Sequence, residues 1–466
     1  MGAGIPPSPE QSSFRDPDGF VFESEGNVFR WVGLPYQADY DRLVEGGLRD
    51  NLFSRELLLP FEECSSEPPA GCYKILKPRR VPFISYPYEW CFSQLKDAAL
   101  TTLEIQRTAL QHGMSLKDAS AFNIQFVDGT ASLIDTLSFE IYRPGRPWVA
   151  FRQFCQHFLA PLALMSYRDV RLSQLLRSYI DGLPLDLVRP LMPLRSWLRP
   201  GLLAYLHLHS LAGHVKADLS HKITTSRTFS LNSFHSLIDH LQSTVESLCW
   251  RPPPVSWSTY DSPELTESPY FISKRAVLGT YLDLLDVRAA WDFGANTGYF
   301  SRQVADHGVF TVSMDSDPAC VEASYLQMKQ KKQRFLLPLF MDLTNPSASI
   351  GWSNQERRSV FRRGKPGLIL GLGLVHHLVI SNNVPLNMVA DLFSRHTEHL
   401  VVEFIPKDDP RVQVMLRDRE DIFTNYSQQE FEAQFQRHFK VERRDSLSSS
   451  SRVMYLMRTL TSASHP

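Results

Sequence analysis

Apolar positions recur along this chain with two different spacings. From residue 289 onward, short apolar runs alternate with stretches in which apolar residues return every three or four positions. Ala289-Ala290-Trp291-Asp292-Phe293 predicts a strand that ends in a glycine-containing turn, and residues 299–307 predict the helix that follows. The next strand is expected at 309–314, ending at Asp315. Asp317-Pro318 then supplies a helix cap and a proline at the first helical position, with Val321, Tyr325 and Met328 on one face. Strand-like runs return at 335–341, 368–375 and 400–405. Ser427-x-x-Glu430 opens a helix toward Phe439, and two strand candidates at 440–443 and 452–458 close the chain around a serine-rich turn. An alternation of strands and helices that ends on an antiparallel pair predicts a doubly wound α/β sheet.

The first half is patterned differently. Residues 20–23 and 28–32 flank Ser24-Glu25-Gly26-Asn27, a hairpin signal, and 73–77 reads as another strand. Tyr86-Pro87-Tyr88-Glu89-Trp90 leads into a helix with Phe92, Leu95, Ala99 and Leu103 on one side. Residues 148–248 carry helical patterning interrupted by Pro184, Pro190, Pro193 and Pro200, and predict a helical lobe that completes the first domain. Arg251-Pro252-Pro253-Pro254 opens a Ser/Thr/Asp/Pro-containing stretch that runs to Tyr270. The expected organisation is a disordered start over 1–13, an α+β domain over 14–250, a linker over 251–270 and an α/β domain over 271–466.

A length of 466 residues with 43% hydrophobic and 21% charged residues fits a globular chain of two or three domains. Lys and Arg total 49 against 50 Asp and Glu, a formal charge of −1, which gives no electrostatic case for DNA or an anionic membrane. The six cysteines include no C-x-x-C pair and are expected to be reduced, mostly packed thiols. No run reaches the roughly 18 apolar residues of a spanning helix. The first thirteen residues lack the apolar core of a secretory signal, and Pro6 stands where a myristoylation signal needs Ser or Thr. The expectation is a soluble, cytoplasmic protein.

Candidate chemistry concentrates in Asp292-Phe293-Gly294-Ala295-Asn296-Thr297-Gly298. Gly294 lets the chain turn sharply after its strand, and Gly298 lets the next helix start close to a ligand, which then meets backbone N–H groups and the positive helix end. Asp315 lies 23 residues beyond Asp292, at the end of the second strand, placed to accept from a ribose diol. Asp342 and Leu343 follow the third strand, where Asp342 can reach an adenine amino group. At the fourth strand end, His376 and His377 stand on the carboxyl edge, where an imidazole could accept a proton from an attacking hydroxyl or amine. Glu403 and the segment containing Gly351, Trp352, Glu356 and Arg357 are further candidates to line a pocket.

This set resembles class I S-adenosylmethionine-dependent methyltransferases over nearly all of residues 256–466, with Asn296 replacing the middle glycine of the family's first motif. A dinucleotide-binding turn would instead carry G-x-G-x-x-G, which is missing here. The resemblance implies methyl transfer by direct displacement, with methionine near Asp292 and Gly294, ribose on Asp315 and adenine near Asp342. An acceptor would enter from the His376/His377 edge. A small-molecule acceptor is expected rather than protein or RNA, with no DNA and no membrane.

In the first half, Asp118-x-x-x-x-Asn123 followed by Leu133-Ile134-Asp135 resembles the catalytic loop and metal-binding acid of kinase-like phosphotransferases. Carried over, Asp118 would orient or deprotonate a hydroxyl, and Asn123 and Asp135 would hold Mg²⁺ against ATP phosphates. Lys74 or Lys77 would be the phosphate-binding lysine. The alternative reading of the whole chain is therefore a phosphotransferase whose second half is a scaffold. Without the resemblance, Asp118 and Asn123 read as turn-forming residues.

Overall fold

The computed structural model describes residues 8–65, 68–210, 229–252, 263–417 and 420–460. The chain divides into two compact units, Met1–Arg251 with Ser349–Arg357, and Pro252–Ala348 with Arg358–Pro466. Most of the expected disordered start and the centre of the expected linker lie outside the described residues. Among the described residues no helix is long and apolar enough to cross a membrane.

The first unit opens with an antiparallel sheet of four strands, β1 (Gly19–Ser24), β2 (Asn27–Gly33), β3 (Phe61–Glu63) and β4 (Cys72–Pro78), in the order β1-β2-β4-β3. Ser24 pairs with Asn27, so the hairpin loop is Glu25-Gly26, with φ of 51° and 73°. Two successive positive φ values match the right-handed twist of the flanking strands. The predicted helix runs Phe92–Gln111, with Phe92, Leu95, Ala99 and Leu103 all buried. It is followed by β5 (Met114–Leu116), the hairpin of β6 (Ile124–Val127) and β7 (Thr130–Leu133), and β8 (Phe139–Ile141), which pairs back with β5. Helices fill the rest, most of them short, with a longer one at Leu231–Ser247. Three of the four prolines expected to interrupt helices instead sit at their beginnings: Pro184 and Pro193 precede helices, and Pro200 opens one. An N–H lost in the first turn has no intrahelical partner to lose.

The second unit is built on a seven-stranded sheet: β9 (Ala289–Phe293), β10 (Phe310–Asp315), β11 (Leu336–Phe340), β12 (Leu368–Gly371), β13 (His399–Phe404), β14 (Phe439–Ser446) and β15 (Val453–Thr459). Their order is β11-β10-β9-β12-β13-β15-β14. β11, β10, β9, β12 and β13 each run parallel to the next, and β15 runs antiparallel between β13 and β14. The parallel strands are almost wholly buried, which is why they read as continuous apolar runs rather than alternating ones. Phe271, Leu278, Tyr281, Ala290, Val304, Leu368, Val401 and Leu456 belong to one buried cluster that joins a helix at Pro269–Leu282 to the sheet.

Two elements end four residues before the expected position. β12 ends at Gly371, because Gly373 takes φ of 69° and Leu372–Val375 turn out of the sheet into a short π-helical stretch at His377–Ser381. The helix capped by Ser427 ends at Phe435, and Phe439 already belongs to β14.

Candidate cofactor site

The chain builds outward from β9 to β10 and β11, then returns to add β12 on the other side of β9. That reversal opens a crevice beyond the carboxyl ends of β9 and β12, the place where doubly wound sheets bind ligands. The glycine turn leaves β9 at this crevice and the paired histidines leave β12 at it.

The turn is held by its own backbone. Gly294 and Ala295 donate to the Met314 carbonyl at 2.9 and 3.0 Å, and Asn296 donates to a carboxylate oxygen of Asp315 at 2.7 Å. Gly294, Asn296 and Gly298 have φ of 72°, 52° and 77°. Asparagine is among the few residues other than glycine that adopt this conformation readily, which accounts for Asn296 in the middle of the motif. A Cβ on Gly298 would lie 2.5 Å from Ser324 Oγ, so the helix Tyr299–Asp306 starts in close packing. Thr297 Oγ1 is buried there without a hydrogen-bond partner.

Asp315 closes β10 and also accepts from the Asp317 N–H at 2.8 Å. Burial raises its carboxyl above the ordinary range, and the two N–H donors work against that rise. Asp342 lies just past β11 and accepts from the N–H and hydroxyl of Thr344 at 2.8 and 2.6 Å; Leu343 beside it is half-buried. Asp292 is turned inward. It is 2% exposed, takes the Ser301 hydroxyl at 2.6 Å, and burial pushes its carboxyl up to about 7. Its observed contact therefore supports the turn from beneath.

Beyond β12, the rings of His376 and His377 pack with centroids 4.2 Å apart. Burial, then His377 and the cations Arg452, Arg411 and Lys274, push His376 down to about 2. Its Nδ1 is buried without a hydrogen-bond partner. His377 is lowered as well, by burial and Arg411. Both rings are neutral at neutral pH.

Glu403 leads to a cluster that the sequence did not announce. Its carboxylate, 0% exposed, accepts from Lys274 Nζ at 2.7 Å and from the Tyr270 hydroxyl at 2.6 Å. Arg452 donates to Tyr270 at 2.8 Å and to Asp409 at 2.8 Å. Burial opposes the charge on Glu403, but Lys274 and Arg452 outweigh it and hold its carboxyl low. A lysine on a largely apolar helix was the available signal for Lys274.

Residues 351–357 do not join this unit. They group with the first unit, where Glu356 accepts from Arg15 at 2.7 and 3.0 Å and Arg357 lies 4.5 Å over the Phe122 ring. In that same unit, Asp118, Asn123 and Asp135 do come together. Burial and Asp135 raise the Asp118 carboxyl, while the Ser120 N–H and the Gln153 and Asn123 side chains work against the rise. Asp135 is ion-paired with Arg30 of β2 and accepts from the Ser138 hydroxyl. The cation facing these acids is thus Arg30, whereas Lys74 is bound to Glu63 at 2.7 Å. Asp135, a metal ligand implied by the phosphotransferase resemblance, is paired here with a guanidinium. Among the described residues no group of three or more His, Cys, Asp or Glu is arranged to hold a metal.

Strand order, the glycine turn and the acids after β10 and β11 define the second unit as a domain of the class I methyltransferase type. Over 473 aligned residues, the chain is 30% identical to the nodulation protein NoeA of Rhizobium meliloti (strain 1021), covering 98% of this chain and 97% of that protein. It belongs to the NoeA family. No family model matches it. Among solved structures, it is similar to the N-methyltransferase NodS of Bradyrhizobium japonicum WM9, at 13% identity over 42% of this chain and 99% of that one, with a TM-score of 0.32. It is also similar to the bifunctional kinase-methyltransferase WbdD, at 18% identity over 43% of this chain and 42% of that one, with a TM-score of 0.30. The fold rests on the strand order.

Proposed function

We propose that the second unit is an S-adenosylmethionine-dependent methyltransferase acting on a small-molecule acceptor. The observation that carries this reading is the bond from the Asn296 N–H to Asp315, which ties the glycine turn to the acid that would receive a ribose. The turn's positive φ values, the buried unpartnered hydroxyl of Thr297 and the open second oxygen of Asp342 fit a nucleoside lying across the crevice.

When bound, S-adenosylmethionine supplies a methyl group already activated by its sulfonium. The protein's part is then to hold a nucleophile in line with that methyl, so a dedicated base is optional. An imidazole kept as neutral as His376 is a poor proton acceptor and a good hydrogen-bonding wall. His376 would orient the acceptor's O–H or N–H through Nδ1, and His377 is the ring left to take a proton where one must leave. Asp292 would hold the turn's shape rather than touch the cofactor's polar end directly.

The test is calorimetric titration of the full chain with S-adenosylhomocysteine, beside Asp315→Ala and Asp315→Asn. Micromolar binding, about −8 kcal/mol, is expected for the wild type and weakened in Asp315→Ala. Absence of binding by folded wild-type protein would overturn the reading.

A further inference from the structure

A cleft of about 660 Å³ lies at the amino ends of β10 and β11 and runs along the outside of the helix that follows the glycine turn. It lies where the helix Tyr299–Asp306 ends and the helix Pro318–Lys331 feeds into β11. Four exposed cationic side chains line it, Arg275, Lys331, Lys332 and Arg334, with Asp306 as the lining carboxylate; the fifth lining cation, Arg302, is buried and donates to the Thr297 carbonyl at 2.6 Å. Asp306 already accepts from Gln333 at 2.9 Å.

Lys331, Lys332 and Arg334 are exposed and make no side-chain hydrogen bond or ion pair among the described residues, and Arg275 reaches only the Tyr299 hydroxyl, at 3.4 Å. The cleft therefore concentrates uncompensated positive charge in a chain whose formal charge is −1. Its volume falls in the range of small-ligand pockets, about 300–1,000 Å³. Phe335, 45% exposed, and Tyr299 add aromatic surface to the same lining.

We propose that this cleft binds a small ligand carrying two or more phosphate groups, independently of the cofactor crevice. Several separate cations around one concavity suit a multiply charged anion better than a single one, and they attract it over a distance set by the ionic strength. Binding here involves no metal and no covalent step.

Inorganic tripolyphosphate is the probe, titrated calorimetrically against the full chain at low and moderate salt. Binding is expected to weaken several-fold as salt rises from about 0.01 M to about 0.1 M, which shortens the screening length from about 30 Å to about 10 Å. Lys331→Glu and Arg334→Glu are each expected to weaken it tenfold or more, while Asp315→Ala leaves it unchanged. These two positions are exposed, so the reversals should fold, and circular dichroism checks that they do. Lack of binding by the wild type, or equal binding by folded charge-reversed variants, would overturn the proposal. Competition by S-adenosylhomocysteine would do the same by moving the site to the crevice. Tight binding of single-stranded RNA with no measurable tripolyphosphate affinity would also reject a small-ligand site.

Discussion

The Asn296 N–H and the Asp315 carboxylate meet at 2.7 Å, joining the turn after β9 to the end of β10. Met314, the residue before Asp315, accepts from Gly294 and Ala295 through its carbonyl. One strand end thus sets the shape of the neighbouring turn, and the acid that would hold a ribose is fixed by the same contact.

Gly298→Ala should strain this arrangement twice. The residue has φ of 77°, and the new Cβ would approach Ser324 Oγ at 2.5 Å. A loss of about 1–3 kcal/mol is expected from backbone strain, read as a lowered midpoint in denaturant unfolding. S-adenosylhomocysteine binding should weaken with it. Gly308→Ala is the control, since its Cβ would meet nothing within 4 Å, although its φ is also positive.

Two buried groups should give opposite slopes of stability against pH. The Asp292 carboxyl, about 7 when folded against 3.8 ordinarily, binds its proton more readily in the folded protein. Its contribution is present below about pH 4 and is lost as pH rises toward 7. His376 goes the other way: its folded value near 2 against 6.5 means the folded state resists protonation. Its contribution is present above about pH 6.5 and is lost as pH falls toward 2. Between pH 4 and 6.5 the two offset each other. Asp292→Asn should make stability rise more steeply with pH in that window, and His376→Asn should make it fall. Denaturation midpoints measured across the window decide it, and unchanged slopes in both variants would reject the assignment.

Lys274→Met should leave Glu403 as a buried charge without its strongest partner. Removing one member of such a pair typically destabilises by about 3–5 kcal/mol. Adding Glu403→Gln should recover a substantial part of that loss, whereas pairing Lys274→Met with the surface change Asp391→Asn should recover none. The double-mutant comparison in urea separates loss of the pair from loss of packing around the lysine stem.

The local chemistry of this chain was legible in its sequence because it acts over a few residues. Positive φ at Glu25 and Gly26 makes the first hairpin, Asp317 caps its helix by accepting from the Ala319 N–H, and Ser427 does the same for Glu430. Apolar runs marked the parallel strands because both faces of those strands are covered. The glycine turn, Asp315 and Asp342 could be found together because strand-helix alternation brings successive strand ends to one edge. The tertiary structure decided contacts between groups far apart in the chain. Arg30 reaches Asp135 across 105 positions, Lys274 reaches Glu403 across 129, and Arg452 reaches Tyr270 across 182. No short-range periodicity encodes such pairs. Their partners are set by which strands lie side by side, and burial then requires each charge to find an opposite charge or a hydrogen-bond partner. The same reason explains why Lys74 or Lys77 was the expected cation of the first unit and Arg30 the observed one: β2 and β4 lie side by side, and only the placement of that sheet against the Asp118 loop selects among their cations.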